Sequence, residues 1–228
     1  VNIIIHGRFI FLIFLNNGDK NNSFLPIGKI KIPVRVNFSE FLQQSLHVLV
    51  KIVVVKIKNK NKMAQITLKG NPVHTVGDLP KVGEKAKDFT LVKSDLSRVS
   101  LNDFKGQKLV LNIFPSLDTG TCAASVRYFN KVAAGLKDTK VLCISRDLPF
   151  AQSRFCGAEG IENVVTLSDY ATGEFGKNYG LEIADGPLAG LHSRVVIILD
   201  ENGTVTYTQQ VPEIVDEPNY EEVLKALK

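Results

Sequence analysis

The sequence predicts an α/β fold, with a central mixed sheet flanked by helices on both faces and a β-hairpin at its N-terminal end. Three observations carry that reading. The runs "KLVLNIF" (108–114) and "KVLCIS" (140–145) are short, continuous and β-prone, as strands buried on both faces are. Helical patterns alternate with them, which places helices over a sheet. The late stretch "RVVIILDENGTVTYTQQV" reads as a hairpin turning at Glu201-Asn202-Gly203, which makes the sheet mixed rather than purely parallel.

The elements follow in order. "MAQITLKG" and "NPVHTVG" alternate in polarity and are separated by Gly70-Asn71-Pro72, a hairpin signal. "VGEKAKDFTLV" and "RVSLNDFKGQ" supply a strand and a short strand with a turn. After the strand at 108–114, residues 121–136 place Ala124, Val126, Phe129, Val132, Ala133 and Leu136 mainly on one helical stripe that closes near Gly135. In "DLPFAQSRFCG" (147–157), Asp147 is the expected N-cap, Pro149 lies in the first turn and Gly157 is the expected stop. "NVVTLS" reads as a strand, "ATGEFGKNYG" as a short helix and "NYEEVLKALK" as a closing helix.

Charge divides the chain. Of its 228 residues, 1–62 hold ten Lys/Arg against two Asp/Glu, a net of +8. Residues 63–228 hold eighteen against twenty-one, a net of −3. The basicity that would suggest a nucleic-acid or anionic-membrane partner is therefore confined to the front segment. That segment has no Ala, Thr, Tyr, Cys or Met, and the chain's one methionine is Met63. Residues 1–62 are expected to be a non-native or upstream extension without function, and residues 63–228 the working domain. A targeting segment at "RFIFLIFLNNGDK" is a weaker alternative, since it lacks a small-x-small cleavage site, and a real structural addition is weaker still. "LHVLVKIVVVKIK", interrupted by Lys51 and Lys56, is too short to span a bilayer. The remaining residues suffice for one domain burying roughly 70% of its unfolded surface. Three cysteines, an odd number, do not make a disulfide scaffold. They point to a reduced, cytoplasmic setting with one or more working thiols.

The chemistry gathers in "FPSLDTGTCAASVRYF" (114–129). Cys122 falls in the first turn of a helix, where unsatisfied N–H groups favour an anion. The thiolate is the reactive form of cysteine. Pro115 ends the preceding strand, and the Thr119 hydroxyl, three residues before Cys122, is within reach of the thiolate or of a molecule beside it. These are the parts of an activated nucleophile. The same spacing also fits an ordinary buried cysteine at a helix start.

The stretch "P-S-L-D-T-G-T-C" has the Pro-x-x-x-Thr-x-x-Cys pattern of peroxiredoxins. The blocks "LNIFPSLDTGTCAASVRYFN", "VLCISRDLPFAQSRFCGAEG" and "ADGPLAGLHSRVVIILDENG" resemble the bacterial thiol peroxidase branch, the atypical two-cysteine peroxiredoxins of thioredoxin-like fold. The resemblance covers nearly all of 63–228 and none of 1–62. One departure is Lys87, where the general pattern "G-x-x-A-P" has proline after Ala86. The resemblance implies that Cys122 is the peroxidatic cysteine, Cys156 the resolving cysteine, and Cys122–Cys156 the redox disulfide. It implies that Thr119 orients thiolate and peroxide, Pro115 shields them, and Arg194 supplies a fixed positive charge. A guanidinium suits that role, because it stays charged and can donate to both peroxide oxygens. The family further implies thioredoxin as reductant, a homodimer, and no metal, flavin or haem.

The other candidates are weaker. Cys143, in a buried strand, reads as a small apolar side chain, with a backup thiol as the alternative. Ser125 makes "C-A-A-S", an echo of C-x-x-C without its second cysteine. His74 and His192 have no metal-ligand spacing. Two rival functions stay open on the residues alone: a disulfide oxidoreductase of thioredoxin type, and a redox sensor that signals its disulfide state to a partner. A chain beginning at Met63 is expected to fold and to work. Loss of soluble protein on deleting 1–62 would sink that expectation.

Overall fold

The computed structural model describes the strands at 2–6 and 9–13 and all of residues 63–228. Strands β1 (Asn2–His6) and β2 (Phe9–Ile13) pair antiparallel, with His6 opposite Phe9. Apart from β2, the segment weighed above for targeting lies outside the described residues, as does "LHVLVKIVVVKIK". Among the described residues no helix is long and apolar enough to cross a membrane.

Residues 63–228 are built on a seven-stranded mixed sheet. Its strands are β5 (Thr90–Lys93), β6 (Arg98–Ser100), β7 (Lys108–Ile113), β8 (Thr139–Ser145), β9 (Val165–Ser168), β10 (Val195–Leu199) and β11 (Val205–Gln210). The spatial order is β11-β10-β7-β8-β9-β5-β6. The central trio β7-β8-β9 is parallel, and every flanking pair is antiparallel. The apolar runs of β7, β8 and β10 are buried on both faces because successive residues pack into opposite layers. Leu109, Leu111, Ile113, Leu142, Ile144, Val195 and Ile197 meet Phe175 and Tyr179 on one side. Val110, Val141, Cys143, Val196 and Ile198 meet Val126, Phe129, Phe155 and Val223 on the other. The first layer is covered by the short α3 (Glu174–Asn178), the second by α1 (Gly120–Ala133), α2 (Pro149–Glu159) and α4 (Tyr220–Ala226).

Several element boundaries differ from the sequence expectation. Helix α1 ends at Ala133, and its buried stripe is Cys122, Ala123, Ser125, Val126 and Phe129 rather than the more C-terminal set. Asp147 does not cap α2. Leu148 holds that position without a side-chain bond, and the Asp147 carboxylate is occupied elsewhere. Gly157 lies inside α2, which stops instead at Gly160, a left-handed residue (φ 63°) whose N–H bonds the Cys156 carbonyl. Glycine tolerates that conformation without a Cβ penalty. At the head of the domain, β3 (Gln65–Leu68) and β4 (Asn71–His74) form the expected hairpin, with Leu68 opposite Asn71. Its two-residue turn is Lys69-Gly70, both at positive φ (52° and 79°), while Asn71 and Pro72 already belong to β4. Positive φ at both central residues matches the twist of the flanking strands.

Two polar devices fix the loops that later frame the site. Hairpin β3-β4 is tied to the segment after β11: the Thr67 N–H donates to the Pro212 carbonyl (2.7 Å) and the Ile214 N–H to the Thr67 carbonyl (2.9 Å). The Glu213 carboxylate closes over the turn, accepting from the Lys69 N–H (2.8 Å), the Gly70 N–H (2.9 Å) and the Thr67 hydroxyl (2.8 Å). The loop before β10 is held by buried charge. Asp169 accepts from the Gly176 N–H (3.1 Å) and lies 3.3 Å from His192 and 3.8 Å from Arg146. Arg146 also pairs with Glu182 and donates to the Gly173 carbonyl (3.0 Å).

Removing one member of a buried charged group strands the others, at a cost of about 3–5 kcal/mol. Asp169→Ala is expected to lower stability by roughly that amount in denaturant unfolding, and an effect below about 1 kcal/mol would contradict the arrangement. The turn carboxylate carries a pH signature. The Gly70 N–H above all, aided by Thr67, Lys69 and Val215, holds Glu213 down from 4.5 to about 2. A lowered folded-state value means the anchoring is complete above pH 4.5 and lost as pH falls through about 2. The amide shifts of Lys69 and Gly70, followed by NMR, should titrate near 2, and a midpoint at the ordinary carboxylate value would refute the bonding.

Candidate active site

Strand β7 ends at Ile113, and the chain turns through Pro115–Asp118 before α1 begins. Thr119 is the N-cap, extended at φ −108° and ψ 143°, and its carbonyl accepts the Ala123 N–H (3.0 Å). Cys122 therefore sits in the first turn, as its position in the sequence predicts. It is fully buried. Ser125, one turn on, is also buried and donates to the Cys122 carbonyl (2.8 Å). The "C-A-A-S" serine thus braces the helix turn and offers no second redox atom.

Arg194 immediately precedes β10, and its side chain meets the start of α1. Its Nη2 donates to Cys122 Sγ at 3.4 Å, and its Nε donates to the Ile214 carbonyl (2.9 Å). The side chain is buried, with Nη1 left without a partner among the described residues. Its own carbonyl accepts from Val211 N–H (3.0 Å) and Gln210 Nε2 (3.0 Å). The guanidinium is therefore held by backbone on one side and by sulfur on another, with one donor group free. A permanent cation thus lies in direct contact with the sulfur.

The Thr119 hydroxyl donates to the Ser116 carbonyl (3.1 Å). It is turned toward the loop rather than toward Cys122, because the turn places that carbonyl within reach. Pro115, Thr119 and Arg194 together line a cavity of about 620 Å³. Its other walls are largely apolar: Leu68 from the hairpin, Leu188 and Leu191 from the loop before β10, Ile214 and Val215 from the segment after β11. Sequence reasoning did not single out these walls or the Ile214 carbonyl. They come from segments far apart in the chain, and no local pattern marks them.

Cys156 lies in the last turns of α2, half-buried, 3.9 Å from the Thr166 hydroxyl on β9. Burial pushes its thiol above the ordinary range, opposed by the Thr166 contact. Cys156 is not bonded to Cys122: all three cysteines are free thiols. Thr166 on β9 and Arg194 beside β10 belong to strands three spacings apart in the sheet, roughly 14 Å. Cys143 stands opposite Thr166 on β8 and accepts a bond from Asn112 Nδ2 (3.6 Å). Burial pushes it up to about 12 despite that bond, which is the behaviour of an inert core thiol. His74 pairs with Asp185 (2.7 Å) and His192 with Asp169 (3.3 Å). Among the described residues no group of three or more His, Cys, Asp or Glu is placed to hold a metal ion.

Comparison with known proteins gives this constellation its relatives. The family model described as Redoxin matches residues 81–224. A thiol peroxidase of Mycobacterium tuberculosis is 55% identical over 165 residues, covering 72% of this chain and 99% of the relative. The crystal structure of a peroxiredoxin-like protein from Aquifex aeolicus is 42% identical, with a TM-score of 0.69 over 73% of this chain and 98% of that one. A thiol peroxidase from Chromobacterium violaceum shares the fold at 22% identity, with a TM-score of 0.68 over 73% of this chain and 96% of that one. The chain belongs to the redoxin family and, within it, to the thiol peroxidases, peroxiredoxins of thioredoxin-like fold.

Proposed function

We propose that residues 63–228 form a thiol-dependent peroxidase domain in which Cys122 is the peroxidatic cysteine and Cys156 resolves it. The observation that carries this reading is the contact of Arg194 Nη2 with the buried Cys122 Sγ, Arg194 itself lining a cavity with Pro115 and Thr119. The Cys122 thiolate attacks the near oxygen of a hydroperoxide and the O–O bond breaks. The departing alkoxide or hydroxide takes a proton and leaves as alcohol or water, and the sulfur becomes a sulfenic acid. Charge moves from sulfur to the leaving oxygen during that step. The partnerless Arg194 Nη1, next to the donor on sulfur, supports stabilisation of the second site as it develops. Thr119, at the cavity edge, orients the peroxide. Pro115 keeps water from the sulfur. The apolar walls support organic hydroperoxides as substrates alongside hydrogen peroxide, with the carbon chain against Leu68, Leu188 and Ile214.

The second step joins Cys156 sulfur to the sulfenic sulfur and releases water. A disulfide needs its α-carbons within about 7 Å, so one or both helix ends must open. While α2 is intact, burial raises the Cys156 thiol above its ordinary range and so disfavours its thiolate. Opening returns it toward the ordinary thiol range, so reactivity appears when the partner is ready. A dithiol protein of the thioredoxin type restores the two thiols by exchange and carries the disulfide away. The family supports this reductant, a homodimer and a cytoplasmic site of action, and nothing in the step requires a metal, flavin or haem.

Turnover of cumene hydroperoxide with thioredoxin, its reductase and NADPH tests the assignment. Cys122→Ser should lose activity by on the order of a thousandfold or more. Cys156→Ser should react once and then stall. Retained turnover in Cys122→Ser would refute the reading, and normal cycling in Cys156→Ser would move the resolving role to another thiol.

A further inference from the structure

Asp147 lies between β8 and α2, the helix that carries Cys156, yet its carboxylate is spent on the segment that carries Cys122. One oxygen accepts from the Ser116 hydroxyl (2.7 Å). The other accepts from the Leu117 N–H (2.7 Å) and the Ser145 hydroxyl (2.8 Å). Ser116 extends the chain of bonds: its hydroxyl oxygen accepts from Asp118 N–H (3.2 Å), and its carbonyl accepts from both the N–H (3.2 Å) and the hydroxyl (3.1 Å) of Thr119. A continuous hydrogen-bonded path thus runs from the start of α2 to the N-cap of the reactive helix.

The start of helix α2 is also tied to the sheet, where buried Gln152 donates to the Ser145 hydroxyl (3.2 Å) and the Leu167 carbonyl (2.9 Å), but none of these bonds reaches the Cys122 segment. Its N-cap Leu148 makes no side-chain bond, and Gly157 weakens its interior. Two more links join it to the Cys122 side, Arg154–Asp118 (3.2 Å) and Arg127–Glu159 (2.8 Å). The side chains of Arg154 and Asp118 are 69% and 65% exposed. Exposed pairs of this kind contribute little, whereas charge-assisted bonds from a backbone N–H and two hydroxyls to one half-buried carboxylate are the stronger kind.

We propose that Asp147 is a positioning residue that latches the reactive segment 115–122 to the start of the Cys156 helix. Closed, the latch holds Pro115, Thr119 and Cys122 in the peroxide-reactive arrangement. Its release governs how fast Cys122 and Cys156 meet. This rests on the assignment of those two cysteines. The latch therefore trades one step against the other: it favours sulfenic acid formation and slows disulfide closure. It also prolongs the sulfenic acid, which a second hydroperoxide can oxidise to sulfinic acid by transfer of one oxygen, leaving as alcohol.

The test measures the two steps separately in Asp147→Ala, Asp147→Asn and Ser116→Ala. Sulfenic acid formation is read by rapid quench and dimedone trapping, with each variant placed in a Cys156→Ser background. Disulfide closure is read by intact mass in the two-cysteine protein, and sulfinic acid yield is scored at high peroxide. Losing one such bonding group should slow the peroxide step about tenfold. Disulfide closure should speed up about threefold or more, and sulfinic acid should fall. Asp147→Asn and Ser116→Ala should move both rates in the same opposed directions by less. Both steps slowing together, in proportion to lost thermal stability, would overturn the proposal and leave Asp147 a plain structural residue. Unchanged rates would overturn it as well. If Asp147→Ala fails to fold, Ser116→Ala decides by the same criteria. A wild-type peptide map without the Cys122–Cys156 linkage would overturn the cysteine assignment itself, and is distinguishable because it needs no variant.

Discussion

A guanidinium buried beside a sulfur organises this molecule. Arg194 is 2% exposed, and an unpaired charge at such depth is very costly. The fold offsets that cost with specific partners. Cys122 supplies a polarisable sulfur at the start of α1, and Ile214 supplies a carbonyl. Each partner has to be held in turn. Ile214 is fixed because its N–H bonds Thr67 in hairpin β3-β4. The hairpin stays in place because Glu213 closes over its turn and because Ile66 and Val73 pack with Ile183 and Ile214. The domain's first hairpin, far in sequence from Cys122, is thus part of what holds Arg194 against it.

The sheet explains why three thiols meet different surroundings while sharing one layer. Val196, Asn112, Cys143 and Thr166 stand in register across β10, β7, β8 and β9. Strand alternation points that row toward α1 and α2. Cys143 lies within the row, far from solvent and any cation, so burial dominates and the thiol stays protonated. Cys156 meets the edge of the same row through Thr166 but hangs from a helix end, where local opening can free it. Cys122 sits at a helix start against Arg194. One apolar layer therefore holds a strand thiol, a half-buried thiol near a helix end and a thiol against a guanidinium, and they differ in burial and in what lies within bonding distance.

Much of this was legible along the chain because it depends on neighbours in sequence. Apolar runs gave the strands at 108–113, 139–145 and 195–199, and the strand-to-helix junction placed Cys122 in a first turn. Errors arose where two local signals competed. Asp before Leu-Pro looks like an N-cap, but Ser116 and Leu117 from another segment, with nearby Ser145, hold its carboxylate. Gly70-Asn71-Pro72 looks like a turn, but Lys69 takes the left-handed position and lets Asn71 and Pro72 enter β4. Gly157 and Gly160 are both possible stops, and the later one meets the carbonyl that ends the helix.

By itself, the sequence determined the fold class, the alternation of strands and helices, and the chemical type of the site: a thiol at a helix start with proline and threonine at fixed offsets. Each of these depends on spacing within a turn or a strand, which a linear chain displays. The tertiary structure alone decided that Arg194 meets Cys122, that Ile214 and the hairpin hold it there, that Asp147 joins the 115–118 loop to α2, and that Cys156 meets Thr166 on β9. Those facts depend on which distant segments the sheet brings side by side, and no local periodicity encodes them.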